Sequence, residues 1–262
     1  MQRTESERSL AVSFVSLRRA IGIIGILLPL VLALVKIIFE SPGLQGSISS
    51  YYYTEARNVF DGSMCAVAVF LISSKRSERW DTVSGILAGV FALGVAMFAT
   101  TPDSGATSTD KAIGAVHLAS AAAFFIALAL TSILLFTKTN PADTRQRKGW
   151  GRFSPLLVTS TLPGKPLSGR KKARNLVYRV CGYTIVGSII AMFVVTRLPD
   201  SSPILDLHPT FWLESLAVVA FGASWLVKGE TLLRDRRPAV SSPAAASPAA
   251  ARGSQTGAKI TA

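Results

Sequence analysis

Six long apolar segments constrain the fold of this chain more than any other feature of its sequence. They are Ala20–Phe39, Val59–Ser74, Thr82–Thr100, Ala112–Phe136, Val180–Thr196 and Thr210–Val227. Each approaches the ~20 residues that an α-helix needs to cross about 30 Å of hydrocarbon. Backbone polar groups in lipid must be satisfied within the spanning element, and the sequence lacks the alternating pattern of a β-barrel. It therefore predicts an all-α membrane protein, a bundle of six transmembrane helices.

The distribution of lysine and arginine predicts the orientation of that bundle. A net charge of +13 would point to nucleic acid in a soluble domain. Here all of the 28 basic residues except Lys36, Arg57, Lys111 and Arg197 lie on one side of the predicted membrane. The positive-inside rule then places both termini in the cytoplasm of a bacterial cell, with the helices in its inner (plasma) membrane. Topology accounts for the charge, so we expect no nucleic-acid partner.

The chain divides into membrane and cytoplasmic parts. We expect a cytoplasmic N-terminus at 1–19, membrane helices one to four within 20–136, a basic cytoplasmic loop at 137–179, helices five and six within 180–227, and a cytoplasmic tail at 228–262. Lipids are expected partners throughout, and the basic loop is expected to contact anionic headgroups. The tail is rich in Ala, Pro and Ser, a composition typical of disorder.

Three ionisable residues lie inside the predicted helices. Asp61, His117 and Glu214 fall in helices two, four and six, about 5 to 9 Å below the outer ends of those helices. Charged groups in a membrane are costly and usually face the bundle interior. We therefore expect an outward-facing polar cavity that binds or passes a small ligand, a lipid headgroup or a proton. The alternative is a structural polar cluster that holds the helices together.

Other polar residues are predicted on the same outer face. Arg57 lies one helical turn before Asp61, where it can neutralise the carboxylate. Asp103, in the segment TTPDSG, is a further candidate, although a turn residue after proline is its simpler interpretation. The tyrosines Tyr51, Tyr52 and Tyr53 are expected to form a rim at the membrane surface, as interfacial aromatic residues do. Asp110 is expected to be the N-cap of the fourth helix.

Small residues predict close packing of two helices. Gly85, Gly89 and Gly94 lie in the third helix, and the run Ala119–Ala123 lies in the fourth. Small side chains let transmembrane helices approach closely. We expect these positions to pack inside the bundle, and a homo-oligomer remains open as a partner.

A metal site is the second interpretation of the polar residues predicted near the outer ends of the helices. Zinc accepts imidazole and carboxylate ligands, and His117, His208, Asp61 and Glu214 supply both kinds. The two histidines have no diagnostic spacing, and no HExxH, GxSxG, Walker or dinucleotide motif is found in the sequence. We therefore expect no cofactor and no enzymatic activity, and a metal-dependent intramembrane lipid hydrolase or amidase is the competing hypothesis.

Several segments together resemble a known group of proteins. They are SISSYYYTEARNVFDG, AMFATTPDSG, IGAVHLASAAAFF, KKARNLVYRVCGY and WLESLAVVAFGASWLVKGE, and they span most of residues 15–230. The combination resembles a family of bacterial six-helix integral membrane proteins, a domain of unknown function. The resemblance implies the six-helix architecture and points to Asp61, Asp103, His117 and Glu214 without giving them roles.

The architecture is also remotely similar to membrane hydrolases of the alkaline ceramidase and adiponectin-receptor type. Those enzymes bind zinc in the membrane with three histidines, a serine and an aspartate. This chain has two histidines and six predicted spans instead of seven, so their histidine pattern is absent. A lipid hydrolase stays an alternative because Asp61, Ser63 and His117 are expected to lie near one another.

Overall fold

The computed structural model describes residues 2–74, 79–137, 169–199 and 201–229, and most of these residues are helical. The long helices are α1 (Gln2–Phe39), α2 (Arg57–Ser73), α3 (Arg79–Met97), α4 (Ser108–Leu130), α5 (Gly169–Val195) and α6 (Pro209–Lys228). A π-helical turn, Thr131–Leu135, continues α4, and short 3₁₀ helices cover Ser49–Tyr53 and Pro203–Leu207. These ranges contain no β-strand, which confirms the all-α fold class.

Five of these helices are long and apolar enough to cross a membrane. The qualifying segments are Val15–Phe39, Trp80–Met97, Ser108–Leu135, Gly169–Val195 and Pro209–Lys228. Their outward faces carry large apolar side chains, such as Leu118 at 69% exposure. An apolar surface on helices of this length is typical of a membrane protein. The remaining helix, α2, is shorter, with 17 residues.

Two helices begin earlier than the sequence predicted. α1 begins at Gln2 and not near Ala20, and α5 begins at Gly169 and not at Val180. The added residues include Arg, Lys, Ala and Leu, which are good helix formers, so each helix continues beyond its apolar segment. The predicted basic loop is therefore helical from residue 169. Its part at 138–168, and the predicted disordered tail from 230 on, lie outside the described residues.

The start of α4 also corrects a detail of the prediction. Thr107 is the N-cap, and its side chain accepts a hydrogen bond from the Asp110 amide at 3.1 Å. The Asp110 carboxylate accepts the Thr107 amide in return at 2.9 Å. This reciprocal pair is a capping box, in which the acidic residue occupies the third helical position. Asp110 stabilises this helix end, but it is not the N-cap.

The six helices form a closed ring in chain order. Each packs against the next, and α1 packs against α6. Glycines allow this last contact: a Cβ added at Gly222 would lie 2.6 Å from the Gly22 carbonyl oxygen, and one added at Gly25 would lie 3.2 Å from the Gly222 Cα. Helix backbones approach this closely only where side chains are absent.

The predicted small-residue contacts also lie inside the bundle. A Cβ added at Gly89 on α3 would lie 2.8 Å from the Ala68 carbonyl oxygen of α2, and one at Gly94 would lie 2.5 Å from the Ser120 hydroxyl of α4. α3 is therefore held between its two neighbours at glycines.

Candidate functional site

A cavity lies near one end of the bundle, here called the upper end, at which α2, α4 and α6 begin. Side chains from α1, α2, α3, α4 and α6 and from the α1–α2 connection surround it: Leu28, Ile48, Ser49, Phe60, Met64, Val95, Ala121, Phe124, Phe125, Glu214 and Val218. Its volume of about 30 Å³ has room for about two water molecules. Glu214 is the only ionisable residue in this wall.

Glu214 is hydrogen-bonded to the α1–α2 connection. Its Oε2 atom accepts the Ile48 backbone amide at 2.6 Å, and the Ser49 amide lies beside it. These amides precede and begin the 3₁₀ helix Ser49–Tyr53, so no carbonyl within that helix is available to them. A carboxylate is a strong acceptor for such amides. Glu214 therefore fixes this connection to α6 at the wall of the cavity.

The segment Glu40–Ala56, which we call the cap loop, covers the upper end of the bundle. The Gly46 carbonyl accepts the Phe211 amide of α6 at 3.0 Å. Tyr51 packs against the Phe211 ring, with the centroids 6.0 Å apart, and Tyr53 donates its hydroxyl to the Thr100 carbonyl at 2.6 Å. The cap loop is thus bonded both to α6 and to the α3–α4 connection.

The three tyrosines of the cap loop do not share one environment. Tyr51 has no exposed surface, whereas Tyr52 is partly exposed and Tyr53 is exposed. The prediction of a common rim is therefore wrong for Tyr51, which is part of the core beneath the loop. Burial raises the pKa of the Tyr51 hydroxyl, and the neighbouring Gln45 backbone opposes this with a smaller effect.

Asp61 forms a pair at the protein surface. Its Oδ2 atom accepts the Arg57 Nε at 3.4 Å, and the two side chains are 27% and 52% exposed, in that order. The Arg57 guanidinium also donates to the Tyr52 hydroxyl at 2.5 Å and lies 4.0 Å from the centroid of its ring. The predicted partner of Asp61 is confirmed, but Asp61 does not line the cavity.

His117 is buried, with 3% of its surface exposed. Its Nδ1 atom donates to the Phe98 carbonyl at 2.7 Å, next to the end of α3 at Met97. The last carbonyls of a helix have no partner within the helix, so His117 satisfies one of them. Its Nε2 atom is buried without a hydrogen-bond partner. Like Asp61, His117 does not line the cavity.

The predicted candidates therefore have separate partners. Asp61 pairs with Arg57, His117 with the end of α3, and Glu214 with the cap loop. Asp103 is an exposed turn residue, and His208 adopts a left-handed conformation (φ 51°) as the N-cap of α6. Among the described residues, no three His, Cys, Asp or Glu side chains are grouped as metal ligands would be.

A column of aromatic rings continues from the cavity toward the lower end of the bundle. Phe124, which lines the cavity, lies 6.2 Å from Phe221, and Phe221 lies 5.9 Å from Trp225. Phe136 follows at 5.4 Å from Trp225, and Tyr178 at 5.3 Å from Phe136. All five side chains are almost fully buried. Aromatic side chains thus occupy most of the space below the cavity, next to the buried Ser132 and Ser224 hydroxyl groups, whose oxygens are 3.2 Å apart.

Several cavity residues were not predicted from the sequence. Ile48 contributes a backbone amide, which any residue possesses, and its identity gave no signal. In the sequence, Phe60, Phe124 and Phe125 have the pattern of ordinary apolar helix residues. The Phe124–Phe125 pair in a segment otherwise rich in alanine is the one sequence signal that could have indicated an aromatic wall.

Comparisons of this chain with protein-family models, with curated proteins and with solved structures gave no match.

Proposed function

We propose that this chain is a six-span bacterial inner-membrane protein with both termini in the cytoplasm, and that it binds a small ligand or a proton in the cavity beneath the cap loop. In this proposal α2 is the sixth span. Its 17 residues give it a length of about 26 Å. It packs between α1 and α3, which both qualify as spans, so its outer face meets the same lipid.

The orientation rests on the basic residues at the lower end. Arg18 and Arg19 of α1, Arg174 of α5 and Lys228 of α6 lie there, whereas the upper end has Lys36, Arg57, Lys111 and Arg197 in the described chain. The positive-inside rule assigns the lower end to the cytoplasm. The cavity then lies beneath the cap loop on the outer side of the membrane.

The functional proposal rests on the position of the Glu214 carboxylate in the wall of the cavity. A carboxylate in the wall of an apolar cavity is costly to keep unless it has a role in stability or in binding. Its contacts with the Ile48 and Ser49 amides use about two of the four acceptor positions of a carboxylate. The remaining acceptor capacity is available to a ligand or to a proton. Asp61 and His117 have structural roles in this proposal, as a surface pair and as the cap of α3.

The aromatic column favours binding over passage. Phe221, Trp225 and Phe136 fill the path from the cavity to the lower end, and none of them carries an ionisable group. An ion or a proton needs water or polar groups to move through a bundle. A cavity with one closed end is suited to binding from the outer side.

Access to the cavity requires motion of the cap loop. The loop is held to α6 by the Ile48–Glu214 and Gly46–Phe211 hydrogen bonds, and Gly43 adopts a positive φ of 117° before them. Loops of this kind open on microsecond and longer timescales. We therefore expect a ligand to enter when these two bonds are transiently broken.

Cysteine labelling from the outer side tests the proposal. Ala121 lines the cavity on α4, and Leu118 on the same helix faces outward. With Cys65 and Cys181 replaced by alanine, Ala121→Cys in proteoliposomes should react, while the cap loop is transiently open, with a small cationic methanethiosulfonate that does not cross the membrane. Leu118→Cys should stay unreactive, because a thiol in lipid does not ionise. If the two positions were equally inert, the cavity would be closed to solutes and the proposal would fail.

A further inference from the structure

The walls of the cavity combine one carboxylate with three aromatic rings. Glu214 lies on α6, Phe60 on α2, and Phe124 and Phe125 on α4. Aromatic faces attract cations through their quadrupole, and an ammonium ion in an apolar site gains further from a carboxylate. These two features of the wall favour the same kind of ligand, a cation.

The rest of the wall restricts that cation to one with an apolar body. Leu28, Met64, Val95, Ala121 and Val218 present hydrocarbon or thioether surface. Ser49 and Glu214 are the polar residues of the wall, and they lie on the side of the cap loop. A hydrated inorganic cation would lose its water without finding enough oxygen ligands, since such ions take about six.

The Glu214 carboxylate can hold a ligand while it remains bonded to the cap loop. Ile48 occupies one acceptor position of Oε2, and the Ser49 amide takes up another position of the carboxylate. An ammonium group has up to three donors, and the carboxylate has several further lone-pair positions. The ion pair would neutralise both charges in an apolar space, which is the condition for burying either of them.

We propose that the cavity binds a short-chain primary alkylammonium ion, with its ammonium group on Glu214 and its alkyl chain against Phe60, Phe124 and Phe125. This inference rests on the proposed function, because it names the ligand class of the same cavity. The volume of about 30 Å³ has room for about two non-hydrogen atoms, the ammonium nitrogen and the first carbon, so the shortest chains should bind best. A quaternary ammonium ion has no N–H to donate and is bulkier, so it should bind less well.

Thermal unfolding in detergent tests the ligand class. The probes are methylammonium, ethylammonium and propylammonium chloride, compared with sodium chloride at equal ionic strength and with the alcohols of equal chain length. A ligand that binds the folded state raises Tm by mass action. We expect a saturable rise in Tm with the alkylammonium salts and none with the alcohols or with sodium chloride. An equal response to the alcohols would overturn the inference.

Two variants and one control identify the site. Glu214→Gln should weaken ethylammonium binding by about thirtyfold or more, since it removes one partner of a buried charge pair. Ala121→Leu fills the cavity without changing Glu214 and should also abolish the shift in Tm. Asp61→Asn removes a carboxylate outside the cavity and should bind as the unaltered protein does. If Glu214→Gln failed to fold, Ala121→Leu would still decide the question.

The labelling experiment separates this inference from the proposed function. Ethylammonium should slow the reaction of Ala121→Cys with the methanethiosulfonate, because both occupy the same space. If Ala121→Cys reacts and ethylammonium neither slows it nor raises Tm, the cavity is a binding site for another ligand class and only this inference fails. If Ala121→Cys does not react at all, the proposed function fails with it.

Discussion

The Glu214 carboxylate on α6 accepts the backbone amide of Ile48, which lies 166 positions earlier in the chain, at 2.6 Å. This bond joins the last described helix to the connection that follows the first one. It is also the polar contact at the wall of the cavity, so the stability of the cap loop and the chemistry of the cavity depend on the same side chain.

Neutralising Glu214 should destabilise the fold moderately. Hydrogen bonds to charged groups contribute about 1.5–3 kcal/mol and neutral ones about 0.5–1.5 kcal/mol, so Glu214→Gln should lose about 1 kcal/mol. Glu214→Leu leaves the Ile48 amide without an acceptor and should lose more. Denaturant unfolding in detergent measures both. Asp61→Asn is the control, and its surface pair should be worth less than about 1 kcal/mol. A larger loss for Asp61→Asn than for Glu214→Leu would contradict this account.

Locking the cap loop should close the cavity. Gly46 and Thr210 flank the hydrogen bond between the Gly46 carbonyl and the Phe211 amide, and the space around the Gly46 Cα is open. The double variant Gly46→Cys, Thr210→Cys should form a disulfide under an oxidant when the loop brings the two Cβ atoms to the ~3.5–4.5 Å separation that the bond requires. After oxidation, labelling of Ala121→Cys should slow at least tenfold, and a reductant should restore it. Each single cysteine is a control that should show no change on oxidation.

The role of His117 should be kept by another residue whose side chain donates an N–H group to the Phe98 carbonyl. Asparagine places an amide nitrogen near the position of Nδ1, whereas leucine leaves the Phe98 carbonyl unsatisfied. We expect His117→Leu to lower the free energy of unfolding by about 1–3 kcal/mol and His117→Asn to lower it by less. Labelling of Ala121→Cys should proceed at the same rate in both. A strong effect of His117→Asn on labelling, with stability unchanged, would show that His117 acts on the cavity and not on α3.

The α1–α6 contact should not tolerate a side chain at Gly222. Gly222→Ala places a Cβ at 2.6 Å from the Gly22 carbonyl oxygen, so the two helices must separate. Overpacking of this kind costs about 1–3 kcal/mol. Gly187→Ala on α5 is the matched control, because no atom lies within 4 Å of its added Cβ. Equal stability of the two variants would mean that α1 and α6 do not pack at these glycines.

The proposed orientation can be tested on the full chain. A fluorescent protein that matures only in the cytoplasm, fused after Ala262, should be fluorescent. A cysteine at Ser104, in the exposed α3–α4 connection, should react with an impermeant maleimide added to intact cells stripped of their outer membrane. The reverse pattern at both positions would place the termini outside.

The sequence was sufficient to predict the helices but not all of their ends. An apolar pattern marks where lipid can surround a helix, and each of the six apolar segments overlaps one of α1 to α6, although four of the segments extend beyond the end of their helix. The apolar pattern carries no information about where a helix ends in water or among headgroups. α5 therefore begins at Gly169, in a run of Arg and Lys that favours a helix without being apolar.

Site prediction was limited by helix rotation. Phe60 lines the cavity, whereas Asp61, the next residue, pairs with Arg57 at the surface. Neighbouring residues on a helix point about 100° apart, so equal depth does not place two side chains in one site. Glu214 was indicated by its charge in an apolar segment. Its partner at Ile48 is a backbone amide. Every residue except proline has such an amide, so no residue type in the sequence marks this contact.

The α1–α6 contact has a consequence for the order in which the protein can form. A chain is synthesised from its N-terminus, so the glycine face of α1 has no matching surface until Gly222 has entered the membrane. The Ile48 amide likewise has no carboxylate acceptor before Glu214 arrives. Contacts between such distant segments form late because closing the intervening chain costs entropy. A chain that does not yet include Gly222 and Glu214 therefore has helices but no cavity. The binding site forms only after α6 has been synthesised and has packed against α1 and the cap loop.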